Sequence, residues 1–138
     1  MTPAAIVLLV LGSSVMGAIA APAKRVPTTV TIKFTAGPPP SNPYQEPEPD
    51  RFSGRVKAQA HASRLKRKCR SDRSVNVKRV GGATIVTDTT NRRGRYGVSV
   101  ANAPPGQYVA KAKIRRIRHN GKRVVCQADK SDPVTVSS

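Results

Sequence analysis

Two cysteines and two histidines are the residues of this 138-residue chain that could hold a metal or run nucleophilic chemistry, and their spacing separates the options. Seven residues lie between His61 and Cys69, and six between His119 and Cys126, so a site with two thiolates and two imidazoles can be composed. A zinc finger keeps paired ligands roughly two to five residues apart, and neither interval fits. The other use of two thiols is a disulfide from Cys69 to Cys126, the expected state in an oxidising compartment. It would close a long loop and stabilise a small domain by about 4 kcal/mol in the chain-entropy model. A nucleophile-and-base site needs a histidine oriented by an acid, whereas His61 and His119 lie in polar stretches beside Lys and Arg. Paired-carboxylate catalysis is disfavoured too, because Glu46, Glu48 and Asp50 cluster in a proline-rich stretch and the other acids fall near turns. Gly81-Gly82 reads as a turn rather than a phosphate cradle. No enzyme activity and no cofactor are expected.

Charge is the stronger signal. The chain has 25 Lys and Arg against seven Asp and Glu, for a net charge of +18. Such a surface attracts polyanions. Two clusters are the candidate contacts: Arg64, Lys66, Arg67, Lys68 and Arg70, in a stretch from Gln59 to Arg73 that reads as an exposed basic loop, and the alternating Lys111, Lys113 and Arg115. The partners expected are anionic cell-envelope polymers or polysaccharide, with nucleic acid bound only nonspecifically. Base-specific readout would need a recognition helix, and single strands would need exposed aromatic platforms. The competing reading is a basic solvated face that keeps the protein soluble.

The elements that must position these residues read as strands. Residues 1–23 carry no charged side chain, run apolar from Ala4 to Leu11 and end in small residues, as a secretory signal peptide does. The apolar run is too short to span a bilayer, so no membrane span is expected after cleavage. Residues 24–138 are then one secreted domain with five aromatic side chains and a thin core of small and β-branched residues. Val26 to Phe34 alternates as one strand, with Val30, Ile32 and Phe34 inward. Residues 37–49 hold six prolines and form a surface loop. Phe52 to Ala58, Ser74 to Val80 and Ala83 to Asp88 continue the strands. Thr87 to Tyr108 reads as strand, turn, strand, turn, strand, a three-stranded antiparallel unit reversed at Asn91 to Gly94 and at Pro104 to Gly106. Tyr108, Ala110, Ala112 and Ile114 face inward with Val109 outward, and Asn120-Gly121 suits a type I′ hairpin that returns into Val124, Cys126 and Ala128. Val134 and Val136 make a last strand.

The run Val86-Thr87-Asp88-Thr89-Thr90, then Gly94-Arg95-Tyr96-Gly97-Val98, then Pro104-Pro105-Gly106-Gln107-Tyr108-Val109-Ala110 resembles the carboxypeptidase regulatory-like domains of the transthyretin-like, Cna-B-like superfamily. Phe52-Ser53-Gly54-Arg55-Val56, Cys69 ahead of Val75-Asn76-Val77, and Cys126 are similar to a small secreted branch of that group. The likeness runs from Phe52 to Val136. It implies an all-β, seven- to eight-stranded antiparallel immunoglobulin-like (transthyretin/prealbumin-like) β-sandwich used as a structural, adhesive or binding module at the cell envelope or outside the cell. It implies no activity. Cna-B adhesins need a buried acid to promote a Lys crosslink, and only Asp88 could turn inward here. The related hydroxyisourate hydrolases end in Tyr-Arg-Gly-Ser, and this chain ends Thr135-Val136-Ser137-Ser138. The alternative function is a cationic, antimicrobial effector that binds anionic polymers or membranes.

Overall fold

Pro27 divides what reads as one long first strand, because its nitrogen offers no hydrogen to a ladder. In the computed structural model, which describes residues 23–137, the segment from Lys24 to Thr35 is three short strands serving different partners. The signal peptide expected over residues 1–23 lies outside the described residues, save for Ala23. β1 (Lys24–Val26) runs parallel to a strand near the C-terminal end, while β2 (Thr28–Val30) and β3 (Lys33–Thr35) both pair antiparallel with β4 (Asp50–Ala58). At the break between β2 and β3 the Thr31 hydroxyl accepts the Arg55 amide at 3.1 Å, and the Thr31 carbonyl accepts the Tyr96 hydroxyl at 2.6 Å. Gly54 makes room for this exchange, since a Cβ there would stand 1.9 Å from the Thr31 oxygen. Burial pushes the Tyr96 phenol above its ordinary range.

After β4 come helix α1 (Ser63–Arg70), β5 (Ser74–Arg79), β6 (Thr84–Thr89), β7 (Arg95–Val100), β8 (Gly106–Ala112), β9 (Arg115–His119), β10 (Lys122–Cys126), β11 (Asp129–Lys130) and β12 (Val134–Val136). One sheet places β4 between β7 and the β2–β3 pair. The other runs β6, β5, β8, with β11 and β12 both on the far side of β8. Counting each interrupted pair once, the two sheets hold seven strands among the described residues, with every pairing antiparallel. A third, smaller sheet has the order β1, β10, β9.

The chain is mostly β, but the expected three-stranded unit is not formed. β6 pairs with β5, β7 with β4, and β8 with β5, so successive strands alternate between sheets. Asn91 to Gly94 and Ala101 to Pro105 are crossings, not hairpins. Turn residues reverse the chain without naming its next partner, and here the inward faces of β7 and β8 each bury their apolar side chains from opposite sides of one core. That core joins Phe52, Val56, Tyr96 and Val98 to Val75, Val77, Tyr108 and Ala110, with the Phe52 ring 4.9 Å from that of Tyr108 and 5.2 Å from that of Phe34. The hairpin at Asn120-Gly121 forms as expected, with φ of 51° and 72°. Three facing assignments change: Val109 on β8, expected outward, is buried, while Ile114, past the end of the strand, and Ala128, both expected inward, are exposed.

The basic stretch from Gln59 to Arg73 is not a loop. Its centre is α1, which buries Leu65 and Cys69, four residues apart on one face, against Val26, Ala58, Val124 and Cys126 in a second small core. No side chain caps its N-terminus and no acid stands in its first turn, so tertiary packing holds it; Arg67, Lys68 and Arg70 favour its C-terminal dipole. Cys69 and Cys126 are joined by a disulfide inside this core.

Gly94 supplies a stability test. Its φ is 77°, and a Cβ would lie 2.2 Å from the Val56 oxygen, while its own carbonyl accepts the Val56 amide at 2.7 Å. At Gly106, φ 149°, the atoms nearest a Cβ belong to the guanidinium of Arg79, which donates to the Pro105 carbonyl but is the far end of a flexible side chain. Gly94→Val is expected to lower stability by more than ~1 kcal/mol, and Gly106→Val by less than Gly94→Val. Urea midpoints measure both, and a reversed order would show that the crossing at Gly94 is not the tighter one.

Candidate anion-binding groove

The eight basic residues read from the sequence do not form one surface. Arg64, Lys66, Arg67 and Lys68 are exposed on α1, and Lys68 Nζ donates to the Arg118 carbonyl at 3.3 Å, which joins the helix to β9. The same nitrogen lies 3.4 Å from His119 Nδ1. Arg70 is half-buried, its Nε donating to the Arg92 carbonyl at 3.0 Å. Lys111 stands on the outer face of β8, in register with Asn76 and Lys130, and Lys113 is exposed beyond the strand end. Arg115 leaves the stripe altogether: its Nη1 donates to the Lys68 carbonyl at 3.2 Å and the Ser71 carbonyl at 2.5 Å, satisfying the carbonyl end of α1. It is a structural cation.

Arg73 goes further inside. It has no exposed surface, and its guanidinium donates to the carbonyls of Cys69 at 2.7 Å, Lys113 at 3.2 and 2.7 Å, and Gln127 at 2.8 Å. Burial, with a lesser push from the Arg115 charge, lowers its pKa to about 10.

The basic surface that does assemble is one the charge runs along the chain do not reveal. Lys33 on β3, Arg51 and Arg55 on β4, and Arg95 on β7 point away from the core and line a hollow of about 720 Å³ on the outer face of their sheet. Arg55 also lines an adjoining hollow of about 310 Å³ with Lys57, Lys66 and Arg70, between β4 and α1. The two hollows have Arg55 in common, and among the described residues their linings together hold seven basic side chains and one carboxylate, Asp88; the pair is termed the groove.

This charge is not cancelled internally. Among the described residues, the guanidinium hydrogen bonds all end on backbone carbonyls, Arg55 to Arg93 at 3.3 Å included. Carboxylates serve the backbone instead: Asp50 accepts the amides of Gly37 and Ala103, Asp88 that of Gly97, and Asp129 that of Val30, each at 2.9 Å. Asp88 stands opposite the buried Val75 on the inward face of β6, half-buried, and its carboxylate is spent on the Gly97 amide of β7.

The chain matches no family model, no curated protein and no solved structure. Its groove has to be interpreted from its own chemistry. Guanidinium and ammonium groups on a rigid sheet, floored by the small residues Ser53 and Gly97, bind oxyanions by charge-assisted hydrogen bonds. Tyr96 borders the groove, but its ring lies in the core, so no aromatic face is offered for stacking. The outer side of the small sheet carries a second basic surface, where Arg116, Arg118 and Arg123 border a hollow of about 420 Å³ around Val125.

Lys33, Arg51, Arg55 and Arg95 escape a reading of the sequence because each alternates with apolar neighbours and looks like the solvated half of a strand. Cross-strand register is what unites them.

Proposed function

We propose that the chain is a noncatalytic, transthyretin-like β-sandwich domain that works outside the cell, or at its envelope, as a binding module for anionic polymers, chiefly acidic polysaccharide. The carrying observation is that the two hollows share Arg55 and are together lined by seven cations, with no side-chain counterion hydrogen-bonded to a guanidinium among the described residues. The disulfide fits an oxidising compartment. The motif order from Phe52 to Val136 supports the transthyretin-like assignment, and the seven strands in two facing sheets suit it.

Affinity for a polyanion should fall as salt rises, because bound cations are released. The expected result is salt-dependent retention on heparin and on duplex DNA, with no preference among base sequences. Replacing Arg51, Arg55 and Arg95 with Ser should lower the salt slope on duplex DNA by about two to three units, at roughly 0.9 per lost phosphate contact. Fluorescence anisotropy across a salt series measures it. A slope equal to that of the wild type would return these arginines to the solvated face of a structural module.

A further inference from the structure

The outward residues of β3, β4 and β7 lie in cross-strand rows. Arg55 pairs with Arg95, Lys33 aligns with Ser53 and Gly97, and Thr35 aligns with Arg51 and Ser99. Arg51 does not stay in its own row. Its guanidinium reaches over Gly97, so that a Cβ built at Gly97 would lie 2.2 Å from Arg51 Nη2 and 2.9 Å from Cζ. The missing side chain is a seat that brings Arg51 onto the row of Lys33 and Ser53, beside the Arg55 and Arg95 pair. Asp88 accepts the Gly97 amide at 2.9 Å, which fixes the backbone of the seat and sets one carboxylate on its wall.

We infer that this convergence is a discrete site for one tetrahedral oxyanion, a sulfate or phosphate ester carried on a polysaccharide, with Gly97 and Arg51 as its specificity-determining pair. The inference rests on the polyanion reading of the groove and narrows it. Arg51 presents the planar fork that grips two oxygens of an ester group at once, and Lys33, Arg55 and Arg95 surround it with charge. Thr31, Ser53, Thr89 and Asn91 line the same hollow with groups that hydrogen-bond sugar hydroxyls. Tyr96, the one aromatic residue lining the hollow, has its ring buried, so the hollow itself gives nucleic-acid bases no stacking surface, which favours the polysaccharide.

A substitution that leaves the net charge untouched tests the site apart from the field around it. Gly97→Ala fills the seat, and the three atoms nearest its Cβ all belong to the movable end of Arg51, so the variant is expected to fold. Affinities of the wild type, Gly97→Ala, Arg51→Lys and Asp88→Asn are measured calorimetrically for dextran sulfate, phosphorylated dextran and polygalacturonate at matched charge. Single-stranded DNA is the competitor, and thermal melts check folding. The expected result is a wild-type preference for the ester polymers over the carboxylate polymer, the two ester arms identifying which oxyanion is favoured. Gly97→Ala and Arg51→Lys should each lose about tenfold on the preferred ester polymer, the scale of one bidentate contact, with little change on polygalacturonate. Asp88→Asn should bind more tightly. If folded Gly97→Ala keeps wild-type affinity, if the wild type treats esters and carboxylates alike, or if single-stranded DNA displaces the ester polymer more readily than polygalacturonate does, the discrete site is wrong while the groove stands. A wild type that binds none of the polymers overturns both.

Discussion

Replacing Arg73 with Leu is expected to destabilise the domain by about 3 kcal/mol or more, and to leave part of the chain unfolded at room temperature. Arg73 is fully buried and bridges the carbonyls of Cys69, Lys113 and Gln127, which end α1, follow β8 and follow β10. Leucine would fill much of the space but strand the carbonyls of Cys69 and Lys113, while that of Gln127 keeps the Thr28 hydroxyl; each buried acceptor left unpaired costs roughly 1–3 kcal/mol. Lysine should rescue little, because an ammonium cannot reproduce the planar fork. The pH dependence has a definite sign. The folded-state pKa, about 10, lies below the ordinary arginine value, so the native protein releases this proton before the unfolded chain does. Below pH 10 both states are charged and the contribution is constant; above it the contribution grows until the unfolded chain also deprotonates. The stability gap between wild type and Arg73→Leu should therefore be flat from neutral to mildly alkaline pH and widen above about pH 10. Urea titrations of the pair, in which other titrations largely cancel, measure this. A gap under 1 kcal/mol at pH 7 would show that the carbonyls find other partners.

Removing the disulfide with Cys69→Ala and Cys126→Ala should cost about 4 kcal/mol in the chain-entropy model, the crosslink spanning 57 positions. Alanine is the right probe, because a serine hydroxyl at either fully buried position would lack water. The loss should not be uniform. Leu65, Val26 and Val124 form a core distinct from the one holding Phe52, Tyr96 and Tyr108. Eight residues without a side-chain cap cannot keep a helix alone, so α1 should melt first in the variant. Far-ultraviolet dichroism of the helix should then fall at lower urea than the near-ultraviolet signal of the buried tyrosines. Coincident transitions at the wild-type midpoint would mean that packing alone, without the crosslink, holds the small core.

Features that depend on a few neighbouring residues were readable in advance. Alternation on Phe52, Val56, Val75, Val77, Tyr108 and Ala110 marks their inward faces, and all six are buried. Asn120-Gly121 makes its hairpin, because positive φ at two successive positions is a local demand that these residues meet. Cys69 and Cys126 had only each other. What could not be read depends on partners distant in the chain. The reversals at Asn91 and Pro104 carry the same turn residues whether the next strand lies beside the last or across the core, so the pairing of β6, β7 and β8 had to come from burial on both sheets. The basic segment around Leu65 becomes a helix because one apolar pair meets Val26 and Val124, not because of its own propensity. Arg73 is indistinguishable in the sequence from its exposed neighbours until three carbonyls from separate segments close on it. The groove is the clearest case: Lys33, Arg51, Arg55 and Arg95 become neighbours through the register of three strands, and charge counted along the chain is blind to register.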